Sequence, residues 1–327
     1  MTKTRIVCFR TIGPASLRYE FMPPTGNLSY SSIRKYATAM KRSEITATRT
    51  LLITGGLILT VIFLSCKKEP AAIEEQIIKD VSYGESGQQK MDIYLPDDRA
   101  RASTRTVVFI HGGGWVEGDK SEMKPYVDTL RKLMPGYAVV NLNYRLAYNN
   151  SVNIFPAQEN DVKNAIEYYL SRADEYKVSD DLVLLGASAG GHLAMLHAYK
   201  NDPEGHVRAV VDFFGPFDLV ALWNYGIVQQ FILYGATGVF PVDNPSLYAS
   251  SSPSEHITAN SPPTIALQGG ADPLVPPSQT SRLIAALDAA GVINQLVYYP
   301  GEGHGWTGAN MVDSFRKIVK FISDHTK

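Results

Sequence analysis

The 327-residue sequence has two cysteines, Cys8 and Cys66, and both lie upstream of the part that reads as a folded domain. This excludes a disulfide framework, a thiol nucleophile and a cysteine metal site from that domain. An excess of charge is also missing, since 31 Lys and Arg stand against 32 Asp and Glu, for a net charge of -1. A nucleic-acid partner would favour a basic face, so none is expected. There is no internal repeat and no long low-complexity tract. Nor does any apolar run reach the roughly 20 residues that a membrane-spanning helix needs. The 45% hydrophobic content is that of an ordinary globular protein, long enough for one large domain or two small ones.

The first quarter of the chain reads as targeting rather than fold. Residues 51–64 form an uncharged apolar run preceded by Lys41, Arg42 and Arg49. A basic segment, a short apolar core and a small residue before the break have the pattern of a secretory signal. Leu64-Ser65-Cys66 resembles a bacterial lipoprotein box, with Phe63 where Leu, Val or Ile is usual. In such a box the cysteine is lipidated and becomes the mature N-terminus. The expectation is an exported lipoprotein, held on the periplasmic or cell-surface face of a membrane through Cys66. The alternative is an uncleaved signal anchor. Met40-Lys41-Arg42 is the expected start of translation, which would leave Cys8 outside the product. Residues 67–76 are polar and serve as a tether.

From residue 77 onward the periodicity alternates between strands and helices. Ile77–Tyr83 and Lys90–Leu95 flank Gly84-Glu85-Ser86-Gly87 and predict an antiparallel hairpin. Thr106–Ile110 is a continuous apolar run ending in glycines, as a buried parallel strand should be. Further strands are predicted at Tyr137–Asn143, Leu182–Leu185, Ala209–Phe214, Thr264–Gln268 and Gln295–Tyr299. Helices are predicted over 121–133, 157–173, 191–198, 278–290 and 308–324. This alternation predicts an α/β domain over residues 77–327, a mostly parallel eight-stranded sheet flanked by helices. Residues 220–260, rich in aromatics, Pro and Ser, break the rhythm and read as a small lid-like insertion over the site.

Gly186-Ala187-Ser188-Ala189-Gly190 lies between a predicted strand and a predicted helix, the context of a nucleophile elbow. A serine hydroxyl is a poor nucleophile at neutral pH, so it needs a base, and the base needs an orienting carboxylate. The expected chain order is Ser, then acid, then His. Asp272 and His304 follow in that order, each in a Gly-rich loop directly after a predicted strand. Open α/β sheets place their ligands at that end of the strands. Asp243 and Glu302 are weaker rivals for the acid. Upstream, His111-Gly112-Gly113-Gly114-Trp115 has the HGGG form of an oxyanion loop. Backbone N–H groups of Gly113, Gly114 and Ala189 are the candidate oxyanion donors. Trp115, Trp223, Tyr225 and Trp306 are candidate pocket residues. His111 is expected to shape its loop, and His192 to be structural or pocket-lining. His197, His206 and His256 read as surface or packing residues.

On these motifs the chain resembles the α/β-hydrolase fold serine esterases, near the carboxylesterase and hormone-sensitive-lipase-like group. Asn143-Tyr144-Arg145-Leu146-Ala147, Phe155-Pro156-Ala157 and Gly215-Pro216-Phe217-Asp218-Leu219 support the likeness. The hormone-sensitive-lipase group usually carries a helical N-terminal cap, whereas a hairpin stands here. That favours the branch resembling bacterial acetyl-xylan and feruloyl esterases. The resemblance implies cleavage of carboxylic esters through an acyl-enzyme, with no metal and no organic cofactor. It implies a small-molecule or polysaccharide-linked ester substrate. An aryl-formamidase-like amide hydrolase is the alternative within catalysis, and an inactive binding module the alternative outside it. Labelling of cells with a palmitate analogue tests the anchor. Label that disappears with Cys66→Ala is expected, and label independent of Cys66 refutes it.

Overall fold

The computed structural model describes residues 73–326. The apolar run 51–64 expected to be a signal, Cys66, Met40 and the first part of the expected tether lie outside the described residues. Eight strands form one sheet: β1 (Gln76–Ser82), β2 (Lys90–Leu95), β3 (Thr106–Ile110), β4 (Ala138–Leu142), β5 (Leu182–Ala187), β6 (Val207–Phe213), β7 (Thr264–Gly269) and β8 (Asn294–Tyr299). Their spatial order is β1-β2-β4-β3-β5-β6-β7-β8. The β1–β2 and β2–β4 pairs are antiparallel, and the remaining five pairs are parallel. The sheet thus has the predicted strand count and mostly parallel sense. The chain reverses direction spatially at β3, so the loops after β3 and β5 leave the same edge side by side.

The central strands are apolar throughout because both sheet faces are covered. Successive side chains point to opposite faces. Val107 and Phe109 therefore enter one core with Val183, Leu185 and Val211, whereas Val108, Ile110 and Leu184 enter the other. The helices, in chain order, are α1 (Lys124–Leu133), α2 (Ala157–Leu170), α3 (Ala173–Tyr176), α4 (Ala189–Lys200), α5 (Leu219–Trp223), α6 (Ile227–Thr237), α7 (Pro245–Ser250), α8 (Pro277–Ala289) and α9 (Gly308–His325). α1 and α9 close the first core, through Val127, Leu130, Phe315 and Ile318. α2, α4 and α8 close the second, through Val162, Ile166, Leu193, Leu196 and Leu283.

Two helical boundaries differ from the expectation. The helix expected over 121–133 opens as a 3-10 turn at Lys120–Met123 and turns regular only at Lys124, with Pro125 in its first turn. The helix expected over 157–173 stops at Leu170, and α3 is a separate turn ending at Lys177 in the left-handed region, φ 55°. The insertion is helical, with α5, α6, α7 and a 3-10 turn at Pro253–Glu255. Its period is hidden in the sequence because α6 is apolar on both sides. Leu233 and Ala236 are buried while Ile227, Val228 and Phe231 are exposed.

One half-buried ion pair joins the segments that frame the sheet edge. Asp161 on α2 is fully buried and accepts from Gln89 Nε2 (2.8 Å), from the Arg145 backbone N–H (2.8 Å) and from the Arg145 guanidinium (2.7 Å). Arg145 is partly exposed, so removing Asp161 leaves a guanidinium that water partly solvates together with an unpaired Gln89 amide, at a cost of about 1–3 kcal/mol. Asp161→Ala is expected to lower the stability of the domain by that order in urea unfolding, and a loss under 1 kcal/mol would show the pair to be incidental.

Candidate active site

β5 ends at Ala187 and α4 starts at Ala189, which leaves Ser188 alone in the turn with φ 55° and ψ -122°. Such backbone costs a non-glycine residue about 1–3 kcal/mol and persists only where its surroundings over-determine it. Here the Ser188 N–H donates to Phe213 O (2.8 Å), and the His192 N–H donates to Ser188 O (3.0 Å). A Cβ on Gly186 would lie 2.1 Å from Gly190 O, and a Cβ on Gly190 would lie 2.1 Å from Ile110 O. Both positions are glycine because main chain crosses main chain there. The crossing turns the Ser188 side chain outward into a cleft of about 420 Å³.

His304, after β8, approaches from the other side. The Ser188 hydroxyl donates to His304 Nε2 at 2.9 Å, and His304 Nδ1–H donates to Asp272 Oδ2 at 2.7 Å. Asp272 is buried, and its Oδ1 accepts the backbone N–H groups of Leu274 and Val275, both at 2.9 Å. Its carboxylate is thereby aimed before the imidazole meets it. The acid and base loops are also tied to each other. Gly270 N–H donates to Tyr299 O and Ala271 N–H to Glu302 O, both at 2.8 Å. A Cβ on Gly269 would lie 2.1 Å from Gly303 O, so this strand end too must be glycine. The rival acids stand elsewhere. Asp243 is exposed in the turn before α7, and the Glu302 side chain accepts from Asn310 Nδ2 (2.6 Å).

Gly113, Gly114 and Ala189 line the cleft beside Ser188. Among the described residues, none of their three N–H groups donates to another protein atom. Gly113 and Gly114 have φ of 104° and 56°, left-handed values that suit glycine. A Cβ on Gly113 would fall 2.1 Å from Glu117 O. The loop is braced from behind. The Tyr144 hydroxyl donates to His111 O (3.0 Å), and the Tyr144 ring stacks on the His111 ring at 4.3 Å. Burial lowers the His111 pKa, and its Nδ1–H donates to Gly112 O (2.7 Å), so it shapes the loop as a neutral ring. A serine, a base, an acid and three unpaired N–H groups at one cleft have what acyl transfer requires.

Comparison with known proteins gives the lineage. The BD-FAE family profile matches residues 91–287, more than half of the chain. The chain belongs to the BD-FAE family. The esterase LipQ of Mycobacterium tuberculosis is 29% identical over 75% of this chain and 61% of its own length. The chain thus spans less than two thirds of that relative. A bifunctional GH43-CE protein of Bacteroides eggerthii superposes with a TM-score of 0.68 at 30% identity, covering 77% of this chain and 38% of that one. A truncated carbohydrate esterase from gut microbiota superposes at 0.66 with 26% identity, covering 78% and 98%. With these neighbours, the eight-stranded sheet and its flanking helices are an α/β-hydrolase fold.

Of the four aromatics expected at the pocket, this BD-FAE chain places one there. Trp115 lines the cleft, whereas Trp223, Tyr225 and Trp306 do not. Trp306 is buried behind the base, where its Nε1–H donates to Ser314 Oγ (2.9 Å) and its ring packs on Phe214. Trp223 packs edge-on against Phe240 and Tyr248 inside the insertion, and Tyr225 is exposed. Aromatic rings bury large area wherever a core needs filling, so composition does not separate the two roles. His192 is buried below the cleft, and His197, His206 and His256 stand away from it. Leu222, Gln229 and Ile232 of the insertion do line it. Gln229 is buried and donates to Pro273 O and Leu274 O, both at 2.9 Å, fastening the insertion to the acid loop.

Two further residues had no motif to mark them. The Phe214 ring lies 4.5 Å from the His304 ring, brought there by a left-handed backbone with φ 44°. Asp212, on β6 opposite Gly186, is fully buried; its Oδ1 accepts the Gly215 N–H (2.9 Å). Its Oδ2 has no partner among the described residues, and burial pushes the carboxyl up to about 7. The unfolded value is about 3.9, so between the two values the folded state keeps a proton that the unfolded chain has released. The stability this contributes is full below about pH 4 and is lost as pH rises through about 7. Asp212→Asn cannot ionise and should escape that loss. Urea unfolding from pH 4 to 8 is expected to show wild type losing ground to the variant as pH rises, and a pH-independent difference would refute the assignment.

Proposed function

We propose that this protein is a serine hydrolase that cleaves carboxylic esters through an acyl-enzyme. The observation that carries the reading is the unbroken Ser188–His304–Asp272 relay, opening on the cleft where three backbone N–H groups stand unpaired. Ser188 Oγ attacks the ester carbonyl while His304 Nε2 takes its proton. The carbonyl oxygen becomes an oxyanion and receives N–H groups of Gly113, Gly114 and Ala189. His304 then returns the proton to the leaving alcohol, and Asp272 stabilises the imidazolium between the two transfers. Water, activated by the same histidine, releases the acid and restores Ser188.

The substrate class we favour is an ester of a carbohydrate, carrying either a short-chain acyl group such as acetyl or a feruloyl group. Similarity to a carbohydrate esterase at 26% identity over 78% of the chain supports the carbohydrate, and the LipQ relationship supports ester cleavage. Export and a lipid anchor at Cys66, read from the sequence, would put the enzyme where such polymers are met.

Hydrolysis of p-nitrophenyl acetate is the direct test. Ser188→Ala is expected to abolish turnover, and Asp272→Asn to lower kcat by about 10⁴-fold through loss of the correct imidazole tautomer. No activity in the wild type, or equal activity in Ser188→Ala, overturns the proposal. A panel of acetylated xylan, methyl ferulate, long-chain esters and N-formylkynurenine then separates the carbohydrate reading from the aryl-formamidase alternative.

A further inference from the structure

Glu117 and Glu122 are the two carboxylates that line the cleft, and no lysine or arginine lines it with them. Both are exposed, and among the described residues neither side chain has a hydrogen-bond or ion-pair partner. The insertion and the acid loop contribute only uncharged side chains to the wall, among them Leu222, Ile232, Leu274 and Val275.

The backbone that carries the two carboxylates is fixed. Gly113 O accepts from the Val116 and Glu117 N–H groups (3.1 and 3.0 Å), a turn that sets Glu117 directly beyond the oxyanion donors. Glu122 stands in the 3-10 turn at Lys120–Met123, where its N–H donates to Asp119 O (3.0 Å). Asn143 Nδ2 donates to the Asp119 carboxylate (2.6 Å) and Asn141 Nδ2 to Lys120 O (2.7 Å), so β4 and the residue after it hold that turn. The cations nearby in sequence are committed elsewhere. Lys120 Nζ lies 2.9 Å from both Asp80 and Asp92, and Lys124 pairs with Asp128. Two negative charges are thus placed at the rim of the cleft with nothing to balance them.

A cleft lined by charge of one sign repels ligands of that sign, and a fixed like charge is a means of rejecting them. Ester hydrolysis makes the sign matter after the reaction as well as before it. The ester carbonyl is neutral, whereas the acid product gives its proton to water and is an anion at neutral pH. The transient oxyanion is held by N–H groups of the loop, whereas the exposed carboxylates act through solvent.

We propose that Glu117 and Glu122 are specificity-determining residues that select against anions: they disfavour esters that carry a negative charge and expel the carboxylate that each turnover generates. The expulsion rests on the esterase reading given above, whereas the selection among ligands does not.

The test compares wild type with E117Q, E122Q, E117Q/E122Q and E175Q, the last removing an exposed charge on α3 outside the cleft. Glutamine deletes the charge and keeps the shape. Phenyl acetate and 4-acetoxybenzoate share an acyl group and differ by one carboxylate on the alcohol part. The ratio of kcat/KM for the anionic ester to that for the neutral one is expected to rise about fivefold in E117Q/E122Q, about twofold in each single variant, and not at all in E175Q. In wild type the ratio is expected to rise with added salt, because screening removes the repulsion, and in the double variant to stay flat. Acetate is expected to inhibit the double variant at lower concentration than wild type. Equal ratios in wild type and double variant, or an equal rise in E175Q, overturn the proposal. Saturation-transfer NMR with benzoate and benzamide, near-isosteric and different in charge, reads the selection without catalysis. Benzamide is expected to bind wild type more tightly, with the difference closed in E117Q/E122Q. Equal binding of the two by wild type overturns the proposal. A wild type that keeps this preference but does not hydrolyse phenyl acetate would sink the functional reading and leave the charge selection standing.

Discussion

Main chain crossing main chain at the end of β5 is the constraint from which the site is built. Gly186, Gly190 and the Ile110 carbonyl are packed so closely that no Cβ fits between them. The turn can close only with glycine on both sides, and in closing it forces Ser188 into strained backbone. The strain is held by the Phe213 carbonyl of the neighbouring strand and by the first bonds of α4. The sheet order makes the rest possible. β3 and β5 are neighbours, so the HGGG loop and the serine leave the sheet side by side. β7 and β8, also adjacent, deliver acid and base together.

The parts of the structure that could be read in advance are those where local chemistry forces the residue. The central strands were legible because each is an apolar run bounded by turn residues, and the first two because they flank a glycine-containing turn. Ser188, Asp272 and His304 were legible because each sits in a glycine-rich loop directly after a strand. Helix ends were less legible: Pro125 permits a helix start without dictating it, and nothing local marks Leu170 as a last residue. α6 was hidden because apolar residues lie on its exposed side as well as its buried one.

The pocket aromatics show a different limit. Trp115, Trp223 and Trp306 are indistinguishable by type, and neighbours far away in sequence decide their surroundings. Trp306 is close to His304 in the chain yet turns inward to Ser314, leaving Phe214 to pack against the imidazole. Asp212 and Gln229 were invisible for the same reason. A carboxyl in an apolar strand and an amide in a helix acquire meaning only through Gly215, Pro273 and Leu274.

The two main-chain bonds between the acid loop and the base loop have a mechanical consequence. Asp272 and His304 are fastened to each other through Gly270–Tyr299 and Ala271–Glu302, whereas Ser188 belongs to a separate, independently strained turn. The carboxylate and imidazole therefore share one frame of main-chain bonds. The joint between that frame and the serine turn is the 2.9 Å gap between His304 Nε2 and Ser188 Oγ. The proton crosses that gap once in each half of the cycle, leaving Ser188 in acylation and returning to it in deacylation, so a shift between the two frames bears on both transfers.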